Sequence, residues 1–311
     1  MKKKIINISI DIDNIHHYLK ARNYEPTEHT KLGSIYNYAL PRMLDLFEKY
    51  NIKATFFTVG EDALKYPDVI KLMHHNGHEI ANHTLNHHQH FGELQYSDME
   101  YEILECNKIL EDITGDKVIG FRAPGWNINN NTLSILKEGG FKYDSSVFPS
   151  KLIPILNLFN YVTNKGRMKS NLGKNMKIGF ASKKPYYPHL ENFWKKSNQN
   201  EILEIPPTVV PFLNLPFLGT SLYKFGKPLF KVSKTIIDLY YDLILYELHA
   251  IELVGFEEVN DNRLSVKPGF KFSLKKKIDL YNYFLDSFKG LESKTLKEVS
   301  EIYYENSVIL K

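Results

Sequence analysis

The segment EIANHTLNHHQH (79–90) holds four of the chain's twelve histidines within eight positions. They are His83, His87, His88 and His90. Neutral imidazole is the commonest protein ligand for zinc-like ions, whereas a solvated loop gains little from imidazoles. The crowding therefore favours a metal site, with a solvated polar loop as the alternative interpretation.

Two pairs within the sequence have spacings that suit metal binding. His83 and His87 are four residues apart, a spacing that brings two imidazoles together on a helical turn. Asp11 and Asp13 are two residues apart, which on a strand directs both carboxylates to the same face. Taken alone, the aspartates are equally consistent with a solvated turn. Together, two histidines and one carboxylate would hold one face of a metal ion and leave other positions open for water and substrate.

The elements that must position these residues alternate along the chain. Seven segments have strand-like patterns: KIINISID, IKATFFTVG, GHEIANH, VIGFR, FKYDSS, EILEIPPTVV and LILYELHAIEL. Four helical patterns lie between the earlier ones: YNYALPRMLDLFEKY, EDALKYPDVIKLMHHN, SDMEYEILECNKILEDI and NNTLSILKEGG. Such alternation predicts an α/β fold with a mostly parallel sheet. Seven strands would suit a closed or nearly closed (β/α)7 barrel.

Barrels of this type carry their chemistry at the C-terminal ends of the strands. Six polar residues stand at or just after predicted strand ends: Asp11, Asp13, His83, Arg122, Asp144 and His249. Residues 150–200 break the alternation and are predicted to form an insertion over the barrel mouth. We expect a single catalytic domain over residues 1–311, with its core at about 4–255 and a helical extension at about 270–311.

Composition excludes several other classes of protein. The 43% hydrophobic and 24% charged content is that of a globular chain, and the net charge of +4 is scattered, with no nucleic-acid signature. Cys106 is the only cysteine, which excludes an intrachain disulfide and a thiolate zinc cluster. The N-terminal apolar run is interrupted by Asp11 and Asp13, and no apolar stretch approaches the ~18 residues of a membrane span. A cytoplasmic location is therefore expected.

Five ordered motifs resemble those of the polysaccharide deacetylase family, carbohydrate esterases named for the chitooligosaccharide deacetylase of nodulation. They are SIDID (9–13), HTLNH (83–87), RAPGW (122–126), DSSVFP (144–149) and LHAIEL (248–253). The resemblance covers roughly residues 4–255 and implies a distorted (β/α)7 barrel. Ile12 separates two aspartates that are adjacent in the usual motif, which leaves open which of Asp11 and Asp13 binds the metal.

The resemblance implies a metal-binding set and a base. Asp13, His83 and His87 would bind one divalent ion, usually zinc, although other divalent ions serve in some members. Asp11 would be the general base. His88 and His90 match no residue of the motif and are expected in the surrounding loop.

The remaining motif residues would act around that base. Arg122 would pair with the base, and Asp144 would hold Arg122. His249 would be the general acid that protonates the leaving amine. Trp126 and Pro124 would line the substrate site, with Trp126 as a wall of the acyl pocket.

The implied function is a metal-dependent hydrolase that removes an acetyl or formyl group from the nitrogen of an amino sugar, in a glycan or a lipid-linked glycan precursor. A cyclic imide or ureide amidohydrolase on the same scaffold is the second interpretation. A catalytically inactive carbohydrate-binding protein is the third. The complete set of metal, base and acid residues argues against the third, because binding alone does not need it.

A narrower resemblance concerns the substrate. SIDIDN, GSIYNYALPRMLDLFEKYNIKATFF and LHAIELVGF resemble the branch that acts on undecaprenyl-phosphate-linked amino sugars. Independently, residues 205–232 combine many apolar side chains with Lys224, Lys227 and Lys231. That combination suits a peripheral contact with an anionic membrane surface, here the cytoplasmic face. A loop and helix packed on the barrel is the alternative.

Overall fold

The computed structural model describes residues 3–27, 30, 33–152, 155, 162, 176–197, 201–212 and 214–309. Much of the predicted insertion at 150–200 therefore lies outside the described residues, and its placement over the barrel mouth stays a prediction. The described part of it contains a two-stranded antiparallel hairpin.

The strands of the described residues confirm the predicted alternation. In chain order they are β1 (Ile5–Ile12), β2 (Thr55–Thr58), β3 (Glu79–Asn82), β4 (Gly120–Phe121), β5 (Tyr143–Asp144), β6 (Pro188–His189), β7 (Asn192–Lys196), β8 (Leu203–Glu204), β9 (Leu243–His249) and β10 (Glu292–Ser293). The seven predicted strands are β1 to β5, β8 and β9. They pair in parallel in the order β9–β1–β2–β3–β4–β5–β8.

The segment after β8 joins the two edges of this sheet. The Thr208 N–H donates to the Leu245 carbonyl at 3.0 Å, and the Leu245 N–H donates to Thr208 Oγ1 at 2.8 Å. The sheet is therefore a distorted (β/α)7 barrel, as predicted. The distortion lies where the strands are only two residues long, at β4, β5 and β8.

Helices cover the outside of the barrel. In chain order they are α1 (Ile15–Lys20), α2 (Leu40–Tyr50), α3 (Gly60–Lys65), α4 (Pro67–His75), α5 (Tyr96–Thr114), α6 (Asn130–Glu138), α7 (Gly219–Tyr240), α8 (Phe256–Val259), α9 (Leu274–Ser287) and α10 (Leu296–Ile309). A π-helical turn (Ile35–Ala39) precedes α2, and single 3-10 turns occupy Phe91–Glu93, Pro124–Trp126, Met176–Phe180, Ala250–Leu253 and Asn262–Leu264. Among the described residues, no helix has both the length and the apolar character that crossing a membrane requires.

Two predicted helical regions differ from the observed ones. The pattern at 61–76 splits into α3 and α4 because Pro67 begins the second helix and cannot donate a backbone hydrogen bond to the first. The C-terminal extension also contains a strand, since β10 pairs with the start of β1 through Ile5 and Glu292. The residues around β10, LESK (291–294), contain no apolar run from which this strand could be predicted.

The two faces of β1 divide the core. Four of its isoleucines are wholly buried against the surrounding helices: Ile6, Ile8, Ile10 and Ile12. The alternate residues Asn7, Ser9 and Asp11 face the barrel interior and are also buried. A small apolar cluster fills the interior beside them and includes Phe57 from β2, Leu245 from β9 and Leu296 from α10. The alternation of β1 thus places polar groups inside the barrel at its C-terminal end.

Candidate active site

The six polar residues predicted at strand ends converge on one end of the barrel. Asp11 is the second-last residue of β1, and Asp13 lies just beyond the strand. Asp144 and His249 are the last residues of β5 and β9. The other two follow β3 and β4 directly: His83 and Arg122.

Asp13, His83 and His87 form a compact donor set. Asp13 Oδ1 lies 3.4 Å from His83 Nε2 and 3.1 Å from His87 Nε2. All three residues are buried, and their candidate ligand atoms lie within 4.8 Å of one another. Around a tetrahedral zinc ion with bonds of about 2.0–2.1 Å, ligand atoms stand about 3.3 Å apart. The set therefore fits a divalent ion, and Asp13 Oδ1 has no hydrogen bond of good geometry among the described residues.

The HTLNH segment reaches this geometry as a loop, so the predicted helical turn is wrong. Asn82 Oδ1 accepts the Thr84 N–H at 2.9 Å, and Thr84 Oγ1 accepts the His87 N–H at 3.1 Å. Thr84 and His87 both have left-handed backbones, with φ of 66° and 53°. These side-chain bonds replace the helical ones and fold the loop so that both imidazoles face Asp13.

Neighbouring groups set the orientation of His83 and the pKa values of Asp13 and His83. His83 Nδ1 donates to the Arg122 carbonyl at 2.7 Å, which leaves Nε2 facing Asp13. Burial would raise the pKa of Asp13, but the neighbouring imidazoles of His87 and His83 hold it well below its usual range. Burial would conversely lower the pKa of His83, but Asp11 and Asp13 raise it. These shifts favour a negatively charged Asp13 beside a positively charged His83.

Arg122 is fully buried beside this set and donates in three directions. Nη1 donates to Asp11 Oδ1 at 2.6 Å, and Nη2 donates to Ser9 Oγ at 2.9 Å and Ser145 Oγ at 3.0 Å. Nε donates to the Ser145 carbonyl at 3.1 Å. The guanidinium also lies 4.0 Å from the centre of the Phe57 ring. Arg122 therefore fixes the Asp11 carboxylate from one side.

Asp144 does not hold Arg122, so that prediction is wrong. Its side chain accepts a hydrogen bond from Ser146 Oγ and lies beside Glu204, its register partner on β8. Burial raises the pKa of Asp144 to about 6 and the pKa of Glu204 well above its usual value. The register of β5 and β8 directs these two carboxyl groups toward each other, and Ser145 takes the place next to Arg122.

His249 faces Asp11 from the neighbouring strand. Asp11 and His249 are register partners on β1 and β9. Burial and the nearby charge of Lys267 lower the pKa of His249 to about 4, so its imidazole is neutral in the free protein at neutral pH. His249 therefore does not already carry the proton that a general acid would donate.

Glu247 is a site residue that the sequence analysis missed. Its Oε1 lies 3.5 Å from His249 Nε2, it is 1% exposed, and neither carboxyl oxygen has a hydrogen-bond partner among the described residues. Burial and the charge of Asp11 raise its pKa well above the usual value. Glu247 could have been found from the sequence, because it is two residues before His249 on β9 and residues two apart on a strand share a face.

The remaining motif residues lie in the adjoining loops. Trp126 stacks on Phe148 with ring centres 4.7 Å apart, and Pro124 is buried. Gly125 and Trp126 both have left-handed backbones, with φ of 60° and 54°. The Trp126 ring is thereby held against the β5 loop. Its role as a wall of the acyl pocket stays a prediction, as does substrate contact by Pro124.

His88 and His90 point away from the donor set. His88 Nε2 lies 3.3 Å from Glu102 and His90 Nδ1 lies 3.1 Å from Glu93. Both side chains are about half exposed, at 49% and 50%. They belong to the loop surface, as expected.

A second cluster of histidines and carboxylates lies between α1 and α3, and the sequence analysis did not find it. We call His16, His17, Glu61 and Asp62 the α1–α3 cluster. His16 Nε2 lies 3.1 Å from Glu61 Oε1, and His17 Nε2 lies 3.1 Å from Asp62 Oδ2. The His17 ring also lies 4.8 Å from the His87 ring, so the cluster adjoins the first donor set.

A family comparison matches part of the chain, including some of these residues. Residues 33–143 match the family model described as Polysaccharide deacetylase. The chain contains a polysaccharide deacetylase domain. The matched part of the deacetylase domain includes His83, His87 and Arg122, whereas Asp11 and Asp13 precede it.

Known relatives agree with this family over part of their length. The deacetylase domain is 27% identical to peptidoglycan deacetylase of Helicobacter pylori over 155 residues, 49% of this chain and 53% of that protein. It is 30% identical to chitooligosaccharide deacetylase of Azorhizobium caulinodans over 131 residues, 41% of this chain and 62% of that protein. The matches span less than two thirds of either relative. PuuE allantoinase shares the fold, with a TM-score of 0.62 and 16% identity over 98% of this chain and 91% of that one.

Proposed function

We propose that the protein is a metal-dependent hydrolase that removes an N-acyl group, acetyl or formyl, from an amino sugar of a glycan. One observation carries the proposal: the donor set of Asp13, His83 and His87 adjoins the Asp11–Arg122 pair at the end of the barrel. An amide is a poor electrophile, and its hydrolysis needs a polarised carbonyl, a base and a proton for the amine. The names of the curated relatives, peptidoglycan and chitooligosaccharide deacetylases, support the choice of substrate class.

The donor set would hold one divalent ion, with zinc best suited to two imidazoles and a carboxylate. When bound, such an ion lowers the pKa of a coordinated water and polarises a carbonyl oxygen. Asp13 contributes a carboxylate held in its charged form by His87 and His83. The Arg122 carbonyl orients His83 by accepting its Nδ1 hydrogen. These residues bind and orient, and take no part in proton transfer.

Asp11 would be the base, because its two carboxylate oxygens have different surroundings. Oδ1 accepts from Arg122, and Oδ2 lies 3.9 Å from His83 Nε2 on the side of the donor set. Oδ2 is therefore the oxygen that can take a proton from attacking water. Arg122 keeps the carboxylate in place through the hydrogen bond from Nη1 to Oδ1.

His249 would carry the proton to the leaving amine. Its pKa of about 4 means that the imidazole receives a proton during the reaction and does not store one beforehand. Asp11 is its register partner, and the candidate atoms of Asp11, Glu247 and His249 lie within 4.8 Å of one another. In this proposal, the proton taken at Asp11 Oδ2 passes to the imidazole of His249 and from there to the amine nitrogen.

The experiment that tests the proposal is hydrolysis of a substrate panel by the metal-loaded protein. N-acetyl and N-formyl amino sugars are supplied free, as oligosaccharides and linked to polyprenyl phosphate. Released acetate or formate and new amine are measured. Ring opening of hydantoins, without release of either acid from any sugar, would replace this proposal with the cyclic ureide alternative.

We further propose that the sugar is polyprenyl-linked and that α7 contacts the membrane surface, with the enzyme on its cytoplasmic side. In support, Phe225, Leu229 and Val232 are exposed, at 52%, 38% and 57%. Leu229 and Val232 lie on the part of α7 that follows a break at Gly226, together with Lys227 and Lys231, and Phe225 lies just before that break. Other apolar side chains of 205–232 are buried in the core, among them Phe217 and Phe230, and Leu213 lies outside the described residues.

Sedimentation with vesicles tests the membrane contact. Binding to vesicles with anionic lipid, lost in Phe225→Ser/Leu229→Ser and absent with purely zwitterionic vesicles, is the expected result. Equal sedimentation of the wild type and the double variant would remove the contact. The polyprenyl-linked arm of the substrate panel tests the substrate separately.

A further inference from the structure

The α1–α3 cluster contains a second set of donors suited to a metal ion. His16, His17 and Asp62 have candidate ligand atoms that lie within 4.8 Å of one another, and these residues are 6%, 2% and 0% exposed. We propose that the protein binds a second divalent ion of the zinc class at His16, His17 and Asp62. The inference is independent of the proposed deacetylation.

The spacing of donor atoms in this cluster matches that of the first set. His17 Nε2 lies 3.1 Å from Asp62 Oδ2, and His16 Nε2 lies 3.1 Å from Glu61 Oε1. Glu61 Oε1 is also 3.5 Å from His17 Nε2, so one carboxylate oxygen stands near both imidazoles. Ligands of a tetrahedral zinc ion stand about 3.3 Å apart, which these separations bracket. Glu61, which is more exposed, could approach as a fourth ligand.

The uncompensated charge of Asp62 favours a bound metal ion over a cluster held by hydrogen bonds alone. Asp62 is wholly buried, and a buried carboxylate is costly unless it is paired or coordinates a metal. Among the described residues, no arginine or lysine lies within ion-pair distance of Asp62, whose recorded partners are His17 and, at 3.4 Å, Asn14. The Nδ1 atom of His16 is buried and has no hydrogen-bond partner in the same part of the chain. A divalent ion would supply the missing positive charge.

The position of the cluster gives the second ion a role in the first site. The His17 ring packs on the His16 ring at 4.0 Å and on the His87 ring at 4.8 Å. Fixing His17 by coordination would therefore also restrict His87, one of the donors at the barrel end. The second ion would be a positioning element that holds α1 and α3 together behind His87, and not a participant in the chemistry.

Metal stoichiometry tests the inference directly. The protein is stripped with chelator, reloaded with zinc, desalted and analysed for zinc per chain. The wild type should hold two equivalents, and Asp62→Asn and His83→Ala should each hold one. His16→Gln gives a second route should Asp62→Asn fail to fold. His74→Gln is the matched control, since it removes a His–carboxylate contact of 3.2 Å to Asp116 at the surface and should keep two equivalents.

Two results would overturn the second site. One equivalent in the wild type, lost in His83→Ala, would show that the α1–α3 cluster is only hydrogen-bonded. Two equivalents retained in a folded Asp62→Asn and in His16→Gln would place the second ion elsewhere. Neither result bears on deacetylation, which the first donor set and Asp11 decide.

Discussion

Arg122 Nη1 and Asp11 Oδ1 lie 2.6 Å apart inside the barrel, where Arg122 is fully buried and Asp11 is 6% exposed. The pair joins the end of β1 to the end of β4 and leaves Asp11 Oδ2 facing the donor set, 3.9 Å from His83 Nε2. A buried arginine without its partner carboxylate is costly, so this contact supports the fold and also fixes the carboxylate that we propose as the base.

Replacing Asp11 should separate catalysis from metal binding. We expect Asp11→Asn to lower turnover by roughly 10²–10⁴-fold, the range for lost acid–base catalysis, because the amide cannot accept a proton. The zinc content should be unchanged, since Asp13 and not Asp11 faces both imidazoles. Asp13→Asn is the paired variant and should weaken metal binding. If Asp11→Asn lost zinc and Asp13→Asn kept it, the two roles would be exchanged.

The loop histidines should differ sharply in their effect on metal binding. His87→Ala or His83→Ala removes one of three protein ligands and should cost the zinc of the first site together with activity. His88→Ala is the matched control from the same loop, since its half-exposed side chain contacts Glu102 and not Asp13. Metal analysis and activity of the three variants check this. Loss of metal in His88→Ala alone would refute the assigned ligand set.

His249 should matter most when the leaving group needs a proton. We expect His249→Ala to lower amide turnover by roughly 10²–10⁴-fold with metal content unchanged. An aryl acetate ester, whose leaving group departs without protonation, should lose much less. Rates for both substrates, measured for wild type and variant, give the comparison. Equal losses on ester and amide would take the proton-transfer role away from His249.

His78 should make the fold sensitive to acid. Burial lowers its pKa from 6.5 to about 4, and its Nδ1 accepts the Ala54 N–H at 3.1 Å. The unfolded chain takes up this proton near pH 6.5 and the folded chain only near pH 4. The free energy of unfolding should therefore fall by roughly 3 kcal/mol as pH drops across that window.

Denaturant unfolding at pH 7.5 and pH 4.5 measures that loss. His78→Asn removes the titrating group and should show a smaller loss between the two pH values than the wild type. His75→Asn changes an exposed neighbour and should behave as the wild type does. An unchanged loss in His78→Asn would assign the acid sensitivity to other groups.

Alternation of strand and helix patterns was sufficient to predict the barrel and the end at which its polar residues meet. Each of the seven predicted segments contains β-branched or aromatic residues, and parallel strands bring their C-terminal ends together whatever the loops do. The convergence of Asp13, His83 and Arg122 follows from that rule.

Side-chain direction within short strands could not be predicted in the same way. β5 has two residues, and a shift of one position exchanges the faces, so the sequence did not distinguish Asp144 from Ser145 as the neighbour of Arg122. The α1–α3 cluster escaped detection because its partners are 45 residues apart and meet only when the two helices pack. The HTLNH loop depends on side-chain bonds from Asn82 and Thr84 that helical spacing does not reveal.

Acetate release from an N-acetylated amino-sugar oligosaccharide tests the central claim most directly. The account predicts one acetate and one new amine per cleavage by the zinc-loaded protein, loss of activity on chelation, and recovery when zinc is restored. Asp11→Asn, holding the same zinc, should remain at least about 10²-fold slower. Equal rates for Asp11→Asn and the wild type, or undiminished acetate release by the metal-free protein, would contradict it.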